Sequence, residues 1–214
     1  MQTRYIATAA ACLLLFPAYA HSADPSGRTL RPALVKYLSE RGDLCLGKYD
    51  WPIGVTEREA MIGTRDAIQM PVLQKVGLVK SSPGSAQRNV DGVVTTLPAT
   101  RYELTGEGRK FYVARETTQV SADGRKIVRR GDFCAGKLSL DSIVGWDAPK
   151  TVGDHVETTV TYTYHIAAAP WTRDPEVQKV FPMVDRVVKG EGTMQLKQPL
   201  RLTRKGWTAV NSWE

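Results

Sequence analysis

One octapeptide occurs twice in this chain, and it limits the folds available more than any other feature. Arg41-Gly42-Asp43-Leu44-Cys45-Leu46-Gly47-Lys48 returns as Arg130-Gly131-Asp132-Phe133-Cys134-Ala135-Gly136-Lys137, differing only where Leu44 and Leu46 become Phe133 and Ala135. Two fainter echoes follow in the same order. Pro71-Val72-Leu73-Gln74-Lys75-Val76 matches Pro175-Glu176-Val177-Gln178-Lys179-Val180, and Leu104-Thr105 with Gly108 matches Leu202-Thr203 with Gly206. The pattern reads as an old duplication in which each half runs Cys-Gly-Lys strand, Pro-started helix, then a strand ending in Leu-Thr. Two copies make a pseudo-symmetric pair, so equivalent cysteines are expected to face each other across a pseudo-twofold.

The N-terminus reads as an address. Met1-Gln2-Thr3-Arg4 carries a positive charge, Tyr5 to Phe16 is apolar, and Ala18-Tyr19-Ala20 places small residues where a signal peptidase reads. This predicts a secretory leader over residues 1–20, too short before Pro17 to span a bilayer. Its removal takes Cys12 away and leaves Cys45 and Cys134. An even count in an exported chain predicts a disulfide between them. The expected location is the periplasm or the exterior, with a first half over 21–116 and a second over 117–214.

Composition is that of a folded protein: 42% apolar and 24% charged over 214 residues, with Lys and Arg (29) exceeding Asp and Glu (22) for a net charge of +7. Leu30, Leu34, Tyr37 and Leu38 share a helical face between Thr29 and Arg41, with Gly42 expected to end that helix at positive φ. Gly131 is expected at a strand-entry turn. Asp174 is the natural N-cap of a second helix begun by Pro175, with Val177, Val180, Phe181, Val184, Val187 and Val188 on one face, a kink at Pro182 and an end at Gly190. Val156, Val160, Tyr162, Tyr164 and Ile166 alternate with polar residues, the period of a strand with one wet face. Thr117 to Val120 and Lys126 to Val128 predict a hairpin turning at Asp123-Gly124. Ser81 to Gly92, rich in Ser, Pro and Gly, reads as an exposed loop.

No constellation spells out a reaction. His21, His155 and His165 form no ligand pair, so neither zinc nor another cofactor is expected, and His165 reads as a solvated histidine on a polar strand face. The chain has no nucleophile elbow, phosphate loop or dinucleotide fingerprint. Asp43 and Asp132 read as turn caps, with a proton-sharing acid dyad as the sharper alternative. Two basic clusters, Arg125-Lys126-Arg129-Arg130 and Arg201-Arg204-Lys205, are the candidate binding residues, against the reading that both are solvated strand faces.

Val72 to Lys80 followed by Arg101 to Arg109 resembles the recognition helix and wing of bacterial winged-helix regulators. That resemblance would nominate Gln74, Lys75, Lys80 and Arg101 as DNA contacts. Export and Pro71 inside the helix argue instead for a shared local geometry, and no nucleic acid is expected as a partner. On a larger scale, five stretches resemble small exported proteobacterial proteins, some of them associated with carbapenem gene clusters. They are Asp132-Phe133-Cys134-x-Gly136-Lys137, Val160-Thr161-Tyr162-Thr163-Tyr164, Ala169-Pro170-Trp171, Asp174-Pro175-x-Val177-Gln178 and Phe181-Pro182. That resemblance brings no catalytic residues with it.

The expected fold is α+β: two related halves, each with a helix packed on an antiparallel sheet, linked by the disulfide. The expected role is an exported binding or accessory protein of the bacterial envelope, meeting an envelope protein or an anionic component. The alternative is a periplasmic hydrolase without a recognisable motif.

Overall fold

The structure, a computed structural model, describes residues 24–121 and 123–210. Ser26 and Thr29 cap each other at the start of the first helix: the Ser26 hydroxyl accepts from the Thr29 amide at 3.2 Å and the Thr29 hydroxyl from the Ser26 amide at 2.9 Å. Helix α1 (Gly27–Arg41) then buries Leu30, Ala33, Leu34 and Leu38. Gly42 ends it, but φ is −77°, not positive. Glycine is needed there for space, because an added Cβ would lie 2.4 Å from the Leu38 carbonyl oxygen and 2.6 Å from that of Leu138.

Strand β1 (Asp43–Cys45) and β2 (Ile53–Thr56) lead to α2 (Glu57–Met61) and α3 (Arg65–Lys75), each started by a threonine cap, Thr56 and Thr64. Pro71 therefore lies inside α3 and does not begin it. The segment read as a loop over 81–92 is a strand: β3 (Val79–Val90) pairs with β4 (Val93–Leu104) residue by residue. Its Pro83 is tolerated because β3 is the edge of a sheet ordered β2-β4-β3. The true turn is Asp91-Gly92, both at positive φ, as a tight hairpin requires.

Helix α4 (Gly106–Arg109), β5 (Tyr112–Val113) and the hairpin β6 (Thr117–Val120) with β7 (Lys126–Arg129) follow, the hairpin turning at Asp123-Gly124 as expected. Next come β8 (Asp132–Trp146), β9 (Lys150–Val152), β10 (His155–Ala168) and a 3-10 turn at Pro170–Arg173. Asp174 caps α5 (Pro175–Val180) by accepting from the amides of Glu176 and Val177. The kink expected at Pro182 is a full break: Phe181 leaves helical geometry at φ −123°, ψ 60°, and Pro182 opens a separate helix, α6 (Pro182–Lys189), which ends at Gly190. The chain closes with β11 (Leu196–Thr203) and β12 (Gly206–Ala209).

The fold is α+β with antiparallel sheets. The largest runs β1-β8-β10-β11-β12, with β5 added to β8 and β9 to β10. Helix α1, although it comes from the start of the chain, lies on this sheet, and its leucines pack with Leu138, Val160, Tyr162, Tyr164, Ile166, Leu200 and Trp207. A second core joins α3, α5 and α6 to the three-stranded sheet around Phe133 and Trp171. The Leu-Thr echo diverges in structure. The Thr105 hydroxyl caps α4, accepting from Gly108 at 3.0 Å, whereas the Thr203 hydroxyl donates to the Gly206 carbonyl across the β11–β12 turn at 2.8 Å. The leader expected over 1–20 lies outside the described residues. Among those described, no helix is long and apolar enough to cross a membrane.

Candidate functional site

The two octapeptides meet. β1 runs antiparallel to the start of β8, with Asp43 opposite Lys137, Leu44 opposite Gly136 and Cys45 opposite Cys134. The cysteines form the expected disulfide. Backbone hydrogen bonds flank the pairing: the Leu46 amide donates to Phe133 and the Leu138 amide to Gly42, at 2.9 and 2.8 Å. Leu44 packs against both cores, so the junction of the copies is also the junction of the two cores.

A cleft of about 540 Å³ opens over this junction, within the range of small-ligand sites. Its lining includes Asp43 and Cys45 of one octapeptide, Asp132 of the other, Tyr49, Val113, and Thr118 and Val120 of the β6–β7 hairpin. Arg41 and Arg115 stand where it meets a second hollow of about 290 Å³. The hairpin is fastened over Tyr49 by Arg129, whose guanidinium lies 4.8 Å from the ring centroid and pairs with Asp50 at 2.6 Å. Tyr112, in β5, donates its hydroxyl proton to the Tyr49 carbonyl at 2.8 Å. Its ring covers Gly131, where a Cβ would lie 2.6 Å from ring carbons.

The two equivalent acids are satisfied differently. Asp43 is ion-paired with Arg115 at 2.9 Å and with Lys137 at 3.6 Å. Asp132 accepts three backbone N–H groups, from Lys48 and Phe133 on Oδ1 at 2.7 Å each and from Gly47 on Oδ2 at 3.1 Å. Burial pushes the Asp132 carboxyl above the usual aspartate range, against the pull of those amides and of the Lys48 charge. Lys48, the residue that would mirror Lys137, is 2% exposed and turns its ammonium to Asp66. Burial drives its pKa down, opposed by that hydrogen bond. Each acid is bound by its own partners, and among the described residues no hydrogen bond joins Asp43 to Asp132. The proton-sharing dyad is therefore not formed.

The basic clusters are placed apart. Arg125 pairs with Asp123 inside the hairpin turn at 2.7 Å and Arg129 with Asp50, while Lys126 and Arg130 are exposed and make no ion pair among the described residues. In the other cluster Arg201 holds Glu157 at 3.2 Å, and Arg204 and Lys205 are exposed on the β11–β12 turn. None of these residues lines the cleft, but in the first cluster Arg130 precedes Gly131 and Lys126 pairs with Val120, both of which do. His165 is 62% exposed between Asp141 at 3.2 Å and Glu191 at 3.3 Å, and does not line the cleft. No group of His, Cys, Asp and Glu among the described residues has the geometry of a metal site. Of the residues nominated for DNA, Lys75 is paired with Glu176 and Lys80 with Glu103, and the Arg101 stem lies against Gly84.

The residues behind the larger resemblance are mostly core: Phe133, Trp171, Val177 and Phe181 pack together, with Phe133 and Trp171 ring centroids 5.7 Å apart. No family model, curated protein or solved structure matches this chain. Sequence reasoning missed Arg41, Tyr49, Val113, Arg115 and Val120 as cleft residues. Arg41 and the two acids carried a signal, since they belong to the repeat. Arg115 carried none.

Proposed function

We propose that the protein is an exported, non-catalytic binding or accessory protein of the bacterial envelope. Its partner is an envelope protein or an anionic envelope component, met at the cleft and the adjoining β6–β7 hairpin. The observation that carries this reading is how the cleft's side chains are used. Both sulfurs are joined and Asp43 is held by two cations, whereas Arg41 in the lining, Lys126 opposite Val120 on the hairpin and Arg130 beside Gly131 are exposed and form no ion pair among the described residues. A face of this kind attracts negative charge and offers apolar contact below it. The resemblance to small exported proteins agrees with this role. The paired Lys75 and Lys80 favour a chain with no sequence-specific affinity for DNA.

Comparing periplasmic capture by the wild type with capture by a Lys126→Glu, Arg130→Glu double variant tests the reading. A partner retained by the first and lost by the second is expected, and equal retention would place the binding surface elsewhere. The hydrolase alternative rests on Asp132, a half-buried acid with a raised pKa inside a cleft. It requires turnover of a peptide or ester by the wild type that Asp132→Asn abolishes.

A further inference from the structure

The difference between the two acids points to a ligand. By the pseudo-twofold, the Asp43–Lys137 pair has a counterpart in Asp132 and Lys48, yet the Lys48 ammonium is withdrawn to Asp66 and only its backbone amide reaches Asp132. Asp132 is thus a half-buried carboxylate that no cationic side chain touches among the described residues. Its Oδ2 carries a single hydrogen bond, from Gly47, which leaves capacity to accept from further donors, and Asp132 lines the cleft. A carboxylate in such a place gains most from a cation that arrives with a ligand. Arg41, exposed at the rim and without an ion pair among the described residues, supplies the opposite charge. Val113, Val120 and Tyr49 line the same cleft.

We propose that this cleft binds a short apolar peptide with free termini, its ammonium on Asp132, its carboxylate on Arg41 and its side chains against Val113 and Val120. The three parts of the ligand follow from three parts of the lining. A primary ammonium has three protons to donate and fits an acceptor-only carboxylate. A terminal carboxylate fits the fork of a guanidinium. The volume of about 540 Å³ suits a ligand of dipeptide size or somewhat larger. The assignment rests on the cleft being a binding site and adds the chemical class of what enters it.

The test uses the disulfide-intact, isotope-labelled protein and three probes: leucyl-leucine, its N-acetylated form, which lacks the ammonium, and its C-terminal amide, which lacks the carboxylate. Leucyl-leucine is expected to shift the amide signals of Gly47, Lys48, Gly131 and Phe133. Acetylation should weaken binding at least tenfold and amidation by a smaller factor. Asp132→Asn, which keeps an oxygen for the Lys48 and Phe133 amides, should lose most of the affinity, and Arg41→Gln should bind the free acid and the amide alike. If a variant unfolds, the probe series on the wild type decides by itself. Equal binding of the acetylated and free peptides, or no shift at these amides with any probe, would overturn the assignment. Should that happen while envelope capture still depends on Lys126 and Arg130, the peptide assignment falls and the envelope-binding reading stands.

Discussion

In the first copy of the octapeptide Asp43 is met by Arg115 and Lys137, and Gly42 is wedged between two backbone carbonyls. In the second, Asp132 is met by three amides, and Gly131 lies under the side-chain ring of Tyr112. The same residues at the same spacing have become a rigid anchor on one side and an open acceptor on the other. The cause is the cation each copy contributes: Lys137 stays at the surface and crosses to Asp43, while Lys48 is drawn into the interior by Asp66. A near-symmetric junction with one broken ion pair holds two cores together and leaves a charged group facing a cleft.

The largest effect should come from severing what the copies share. The bridge separates residues 89 apart in sequence, and closing a loop of that length is worth roughly 4 to 5 kcal/mol in the chain-entropy account. Reduction should lower the melting temperature by about 10 to 20 °C, measured by thermal denaturation with and without a strong reductant. A shift of a degree or two would mean that the cores hold the junction without the bridge.

The next effect separates the copies. Gly42→Ala forces a methyl against the Leu38 and Leu138 carbonyls, which belong to a helix and a sheet and have nowhere to go, at a cost of about 3 kcal/mol. Gly131→Ala meets only the Tyr112 ring, which can shift, so about 1 kcal/mol is expected. Denaturant titration of both variants checks the order, and equal costs would erase the asymmetry.

The lysines should differ in the same direction. Lys48→Met strands Asp66, itself 42% exposed and so partly rescued by water, for about 1 to 2 kcal/mol. Lys137→Met removes one of two cations from Asp43 at a site 46% exposed and should cost no more than about 0.5 kcal/mol.

A further effect is a pH dependence of opposite signs. Glu59 is held down to about 2, first by its hydrogen bond from Arg88, which locks α2 to β3. The stability it gives is present above its ordinary value of 4.5 and is lost as pH falls towards 2. Allowing for the partial exposure of Arg88, this is roughly 1 to 2 kcal/mol. Asp132 runs the other way: its raised pKa means that ionisation costs stability, and the cost is relieved as pH falls through that value. Melting curves from pH 7 to pH 2 should flatten at the acid end for Glu59→Gln and steepen for Asp132→Asn.

The disulfide, the capped helices around Leu34 and Val177, and the hairpin at Asp123-Gly124 were legible because each rests on local chemistry or on the repeat. The strand over 79–90 was not. Its Ser-Pro-Gly content speaks for a loop, and only its place at a sheet edge lets Pro83 go without a ladder bond. Nor could spacing reveal that Gly42 serves close packing instead of positive φ, since the carbonyl that crowds it, Leu138, comes from a distant strand. The cleft was half visible: the repeat flagged Asp43 and Asp132, but Arg115, Tyr49 and Val113 reach it only through tertiary placement. The withdrawal of Lys48 to Asp66 leaves no trace in sequence, and it is what makes the copies unequal.

The central claim is that the two octapeptides face each other in antiparallel register, joined at Cys45 and Cys134. Proteolysis of the protein without reduction, followed by mass analysis of the fragments, reads the link directly. The expected result is one linked species holding the Cys45 and Cys134 peptides, which separates into two on reduction. Two peptides that take up a thiol reagent before reduction, or a species joining Cys45 to Cys45 of another molecule, would contradict it.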